Sequence, residues 1–296
     1  MNEKAIYALG FFDGVHMGHG ALLRACRAMA DEAGCRAAAV TFDTHPDTLV
    51  AGVTPGLLNT AADRERLMKD LYQIDEVLTL PFDRAMMEMP WQTFFQMLLR
   101  RYQAAGLVCG SDFRFGSRGM GNAEKLKAAC GQAGIPGTVI PEQKIRGVTV
   151  SSTYIRSLLE RGEMALATEY LGHPHIFTGV VVPGKHLGRT IGIPTANLIL
   201  PKQLLCPRFG VYACKAVVDG TAWMAVTNVG VRPTVNGGNV TVEPWLLDFD
   251  GDLYGREITL EFYRFLRPER KFPSLEALRE EIQKNAGEVR EFFGKK

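Results

Sequence analysis

Apolar positions in the first half of the chain fall in short runs that alternate with stretches of helical period, the pattern of strands joined by crossover helices. Residues 5–9 read as a strand ended by Gly10. From Gly20 onward, Leu22, Cys26, Met29 and Ala33 recur at helical spacing, and Gly34 supplies a stop. Further strands are expected over 37–42, 76–80, 106–109 and 138–140, and helices over 61–71, 91–102 and 122–131. This repetition predicts a Rossmann-like α/β domain with a doubly wound parallel sheet, whose ligands sit beyond the carboxyl ends of the strands.

The pattern changes after Gly172. Runs rich in β-branched and aromatic residues at 177–182, 211–218, 222–228, 240–247 and 257–265 are separated by Gly, Pro and Asn clusters, which argues for an antiparallel, Greek-key-type β-barrel. Ile258, Leu260 and Phe262 alternate with Thr259, Glu261 and Tyr263, as a wall with one buried face requires. A C-terminal helix closes the chain, with Ser274 as its N-cap and Leu275, Leu278, Ile282 and Val289 as an apolar stripe that docks on the barrel or the neighbouring domain. The seam is placed near Gly172–His175, giving domains 1–172 and 173–296, with 152–171 as the last helical part of the first.

Composition narrows the function classes. With 296 residues, 46% hydrophobic and 22% charged, the chain can build real cores in two domains. Thirty-four basic against thirty-two acidic residues leave no basic excess for tracking nucleic acid. No apolar run approaches the ~20 residues that span a bilayer, and no secretory signal is visible, so a cytoplasmic location is expected with neither nucleic acid nor membrane as partner. The six cysteines form no C-x-x-C pair and read as reduced, mostly buried thiols. The chain is expected to be a monomer or weak homo-oligomer.

The first chemical constellation, Gly10-Phe11-Phe12-Asp13-Gly14-Val15-His16-Met17-Gly18-His19, joins the first strand to the first helix, where such a sheet binds phosphates. Its glycines permit close backbone approach, and two imidazoles can donate hydrogen bonds to charge building on a phosphoryl group. With unperturbed pKa values of about 6.5, both can be cationic beside a polyphosphate. Phe12–His19 closely resembles the FDGVHxGH signature of the bacterial bifunctional riboflavin kinase/FMN adenylyltransferases, also called prokaryotic FAD synthetases. Thr41-Phe42-Asp43-Thr44-His45-Pro46 resembles that family's second element, with Thr44 where the family more often has proline. Gly110-Ser111-Asp112-Phe113-Arg114-Phe115-Gly116 resembles the third, and Ser151-Ser152-Thr153-Tyr154-Ile155-Arg156 the fourth, all in family order. The resemblance implies that Gly10, Phe12, Asp13, Gly14, His16, His19, His45 and Pro46 surround the ATP phosphates. By the same resemblance Asp112 faces nucleotide or flavin, and Ser152, Thr153 and Arg156 hold the polyphosphate.

The second constellation, Gly179-Val180-Val181-Val182-Pro183-Gly184-Lys185-His186, follows the P-loop pattern as far as Lys185 but fails at its last position. A P-loop also needs a helix next, whereas Leu187-Gly188-Arg189-Thr190-Ile191-Gly192 continues as a glycine-rich loop, so that reading is rejected. Gly192-Ile193-Pro194-Thr195-Ala196-Asn197 resembles the G-x-PTAN signature of riboflavin kinases. It implies that Thr195 and Asn197 help coordinate Mg²⁺ bound to ATP, while Gly179, Gly184, Lys185, Gly188, Arg189, Gly192 and Pro194 wrap the nucleotide. Thr241-Val242-Glu243-Pro244-Trp245 matches the family's T-x-E segment, whose glutamate is taken as general base, with Trp245 where the family commonly has histidine or tyrosine. Thr241, Glu243 and Trp245 share one strand face, and Pro244 predicts a bulge or edge position. Asp248-Phe249-Asp250-Gly251-Asp252 lacks the glycine and glutamate placement of an EF-hand and reads as a turn. The 267–272 segment, with Arg267 and Lys271, resembles the flavin side of the kinase module.

Together these motifs imply an enzyme that makes FMN from riboflavin and ATP, then FAD and pyrophosphate from FMN and ATP. The alternatives are a single working module, a nucleotidyltransferase with another acceptor, and a flavin-binding sensor without turnover. Intact His16, His19, Thr195, Asn197 and Glu243 argue against the sensor.

Overall fold

The computed structural model describes residues 4–184, 192–232 and 239–294, which form two compact units: residues 1–55 with 61–152, and residues 56–60 with 153–296. In the first, β1 (Ala5–Leu9), β2 (Arg36–Phe42), β3 (Glu76–Leu80), β4 (Ala104–Gly110) and β7 (Gly137–Ile140) make a wholly parallel sheet in the order β3-β2-β1-β4-β7. The connections are α1 (Met17–Ala33), α2 (Pro46–Val50), α3 (Ala61–Tyr72), α4 (Arg84–Glu88), α5 (Trp91–Arg100) and α6 (Ala123–Gln132). Two short ribbons, β5 (Arg114–Phe115) with β6 (Gly121–Asn122) and β8 (Lys144–Ile145) with β9 (Val148–Thr149), complete the unit.

One face of this sheet presents Tyr7, Leu9, Val40 and Leu107 to Phe94, Phe95 and Leu98 of α5 and Leu126 of α6. On the other face Cys26 of α1 sets its Sγ against the carbonyls of Ile6 and Ala38. Burial pushes its thiol up to about 12, so it packs as an inert apolar group. Strand order runs in opposite directions from β1, which makes the carboxyl end of β1 a topological switch point and the place for a ligand crevice.

In the second unit, β10 (His175–Val180), β11 (Leu198–Ile199), β12 (Gly210–Val218), β13 (Thr221–Arg232), β14 (Asn239–Leu246) and β15 (Glu257–Arg267) form one antiparallel sheet in the order β10-β15-β12-β13-β14-β11. Val182 N donates to Asn197 O at 2.9 Å, linking the chain after β10 to the chain before β11, so the sheet curls into a nearly closed barrel. A helix, α9 (Leu275–Gly294), seals one side, burying Ala286 and Val289 against Val211, Ala213 and Val226. The N-cap is Ser274, whose Oγ accepts from Ala277 N at 3.1 Å.

The helices α7 (Ser152–Arg161) and α8 (Met164–Leu171) lie almost wholly within the second unit. The reason is tertiary: Arg208 N donates to Leu159 O, and Gly162 packs against Phe265 and Arg208. Of the bulge or edge position expected at Pro244, the bulge is not found, since β13 and β14 pair without a break from Ala225↔Leu246 to Val231↔Val240. Pro244 lies instead where β11, the edge strand beside β14, has not yet begun. Its carbonyl accepts from Ala196 N at 2.9 Å just beyond the end of β11, where proline omits only the reciprocal bond at the fringe of the β11–β14 pairing.

Candidate functional site

Gly10 leads from β1 into a tight loop whose backbone is held in costly conformations: Phe12 has φ +61° and Val15 φ +43°, uncommon for bulky and β-branched residues. They persist because Phe12 and Val15 are wholly buried. Thr41 Oγ1 donates to Phe11 O at 2.8 Å, and Ser152 Oγ donates to Asp13 O at 2.9 Å, so the second and fourth sequence elements tie down the first. His16 caps α1, its Nδ1 accepting from His19 N at 3.3 Å. The two imidazoles stack with centroids 3.6 Å apart. A Cβ at Gly18 would stand 3.1 Å from His16 Cε1, so glycine there leaves the ring its place.

The protein's own surroundings disfavour a cation at His19. Burial, then His16, then Arg64 push His19 well below its ordinary value, leaving its imidazole neutral near pH 7. Its Nδ1 is buried without a hydrogen-bond partner. His45 caps α2, accepting from Asp47 N at 3.2 Å, with Pro46 at the first turn, and its ring meets Phe11 edge-on at 4.6 Å. Asp112 lies exposed beyond β4, where a Cβ on Gly110 would meet its carboxylate. Thr153 and Arg156 fall in the second unit, and Arg156 Nε donates to Gly56 O at 2.7 Å. The structure thus gathers Phe12, Asp13, His16, His19 and Ser152 around one loop, with His45 beside Phe11. Arg64, on α3, was not visible as a site residue in the sequence, because a single arginine on a helix has no local signature.

In the second unit a cavity of about 280 Å³ is bounded by Glu243 and Trp245 of β14, Asn228 of β13, Thr195, and Arg267 at the end of β15. Leu278, Ile282 and Asn285 of α9 supply another wall. Thr241 Oγ1 donates to Glu243 Oε1 at 3.1 Å and fixes the direction of the carboxylate. Arg267 Nε donates to Asn285 Oδ1 at 3.0 Å and pairs with Glu281 at 3.2 Å, while Asn228 Nδ2 donates to Glu269 Oε1 at 3.2 Å. Asn228 and Asn285 carry no motif that sequence reading could have picked out, and Glu269 lies inside the 267–272 segment without having been singled out. Lys271 is exposed and lies in a separate surface depression with Glu280 and Lys284.

A second cavity, of about 80 Å³, is lined by Pro194, Thr195, Phe249 and Tyr254, so Thr195 belongs to both hollows. Asn197 is buried with its Oδ1 unpartnered, and a Cβ on Gly184 would collide with its side-chain amide. Gly179 pairs with Ile258, and Gly192 is exposed with φ +73°. Lys185, Gly188 and Arg189 lie outside the described residues. Among the described residues no cluster of His, Cys, Asp and Glu could hold a metal by itself. The unpartnered amide oxygen of Asn197 and the hydroxyl of Thr195, two residues earlier in the chain, are hard oxygen donors of the kind that suits Mg²⁺ completed by phosphates and water.

The FAD synthetase family model matches residues 1–154 and the riboflavin kinase family model residues 171–293. A bifunctional riboflavin kinase/FMN adenylyltransferase of Listeria monocytogenes is 33% identical over 294 residues, covering 98% of this chain and 93% of that protein. The same-named protein of Escherichia coli K12 is 36% identical over 295 residues, covering 99% and 94%. A solved structure described as a macrolide-efflux protein from Streptococcus pneumoniae superposes with TM-score 0.86 at 28% identity, covering 98% of this chain and 95% of its own. Among the described residues no helix is long and apolar enough to cross a membrane.

Proposed function

The chain belongs to the bifunctional riboflavin kinase/FMN adenylyltransferase family and is both a riboflavin kinase and an FMN adenylyltransferase, and from that premise we propose how its residues divide the two reactions. Adenylyl transfer is assigned to residues 1–172 and phosphorylation to 173–296. The two family matches, to residues 1–154 and 171–293, support a division within 154–171, and α7 and α8 between them pack within the second unit.

For phosphorylation, Glu243 is the general base. The ribityl 5′-hydroxyl of riboflavin loses its proton to the carboxylate as its oxygen attacks the γ-phosphorus of ATP and ADP departs. The observation that carries this reading is the cavity in which Glu243, aimed by Thr241, faces the same hollow as Thr195. Riboflavin occupies that hollow, and ATP approaches from the smaller one that shares Thr195. Thr195 and Asn197 would hold Mg²⁺ with ATP, and the metal would neutralise charge on the phosphate oxygens. Arg267 shapes the flavin side. Lys271 lies between Arg270 and Phe272, which line that hollow, and itself borders a separate surface depression.

For adenylyl transfer, a phosphate oxygen of FMN attacks the α-phosphorus of ATP and pyrophosphate leaves. His16 and His19 donate hydrogen bonds to charge building on the transferred group, and backbone amides of the loop and of α1 face the phosphates. A neutral His19 does this as a donor without a permanent charge, and an arriving polyphosphate favours its protonation. Small molecules are the substrates. A cytoplasmic chain without nucleic-acid partners fits the near-balanced charge. Incubation with riboflavin and Mg-ATP, with flavins separated by chromatography, tests the reading: FMN rises first and FAD follows, whereas FMN without FAD, or neither, would contradict it.

A further inference from the structure

Arg64 is a charged side chain only 2% exposed, and none of the sequence motifs accounts for it. Its Nη2 donates to Phe42 O at 2.8 Å, at the carboxyl end of β2, while its guanidinium carbon sits 4.3 Å from the centroid of the Phe11 ring. Nε is buried without a partner. Phe11 is held on its other contacts by the Thr41 hydroxyl at its carbonyl and by the edge of His45. Burying a guanidinium with an unused donor is costly, and a site that needed only packing would be better served by an apolar side chain. Asp13 favours the Arg64 charge, and that charge in turn disfavours a proton on His19, so the cation is electrostatically coupled to both ends of the signature loop.

We propose that Arg64 is a positioning residue for adenylyl transfer: its guanidinium holds Phe11 against His45 and thereby fixes the loop that presents His16 and His19. The inference rests on the adenylyl-transfer reading of the first unit. Lysine would keep the charge but cannot stack a planar group on Phe11 while also donating to Phe42 O. Misplacement of reacting groups by about 1 Å can cost on the order of 100-fold in rate.

The test measures FMN-to-FAD conversion by wild type, Arg64→Ala, Arg64→Lys, Phe11→Leu and the Arg64→Ala/Phe11→Leu double variant, with riboflavin phosphorylation by each chain as the internal control. Arg64→Ala is expected to lower kcat by about 100-fold with KM for FMN within about threefold, because the lost interaction acts on the reacting geometry and not on flavin binding. Arg64→Lys recovers part of that loss. Phe11→Leu lowers kcat by itself, and the double variant is no slower than Arg64→Ala, since both act through one contact. Full kcat in Arg64→Ala, a loss confined to KM, or multiplying effects in the double variant would overturn the proposal. If Arg64→Ala does not fold, Phe11→Leu with undiminished kcat overturns it equally. A wild-type chain that makes no FAD from FMN removes the adenylyl-transfer reading itself, whereas active wild type with unaffected variants removes only the role of Arg64.

Discussion

Thr241 and Glu243 are two residues apart on one strand, so their side chains share a face and the hydroxyl reaches the carboxylate. A hydrogen bond to a charged group is worth about 1.5–3 kcal/mol, so Thr241→Val should slow riboflavin phosphorylation about tenfold or more at unchanged riboflavin KM. Steady-state kinetics with riboflavin as the varied substrate check this. His175 makes a different residue-scale prediction. Burial first, and His173 second, lower its pKa to about 4. The folded state therefore disfavours its proton, so the contribution to stability is complete above the unfolded value of about 6.5 and is lost as pH falls toward 4. Urea unfolding between those pH values should show the second unit losing on the order of 3 kcal/mol, and His175→Phe should flatten that decline. The paired histidines of the signature loop were legible in the sequence, but the neutral state of His19 was not. It depends on burial and on Arg64, which reaches the loop from a separate helix.

At the scale of elements, strong periodicity carried far. The strand at Ala5–Leu9, the strand at Glu76–Leu80, the alternation along β15 and the cap at Ser274 all follow from local pattern. Pieces such as α2, α4, β5, β6 and β11 escaped because two to five residues cannot display a period. Helices α7 and α8 were recognisable as helices. Their association with the second unit was not, since it is decided by contacts with Arg208 and Phe265 far along the chain. Ser274→Ala should cost the second unit about 1 kcal/mol through loss of the α9 cap. Gly116 has φ +71°, and a Cβ there would fall 2.6 Å from the Trp91 backbone. Gly116→Ala should therefore destabilise the first unit by about 2 kcal/mol or more, read as a lowered Tm in calorimetry.

Across the whole molecule, each unit has its own core and its own chemistry-bearing hollow or loop. A formal net charge of +2 fits the proposal that phosphates are met by local groups, the loop amides, histidines and threonine and asparagine oxygens, instead of a broad basic surface. The central claim is that two separate sites perform consecutive steps. Glu243→Gln should cut riboflavin phosphorylation by on the order of 100-fold or more while sparing FMN-to-FAD conversion. His19→Ala should cut adenylyl transfer by a similar order while sparing phosphorylation. The most direct measurement mixes the two variants with riboflavin and Mg-ATP and follows the flavins by chromatography. Glu243→Gln alone should leave riboflavin, His19→Ala alone should accumulate FMN, and the mixture should make FAD; loss of both activities in each single variant, with no FAD from the mixture, would contradict two separate sites.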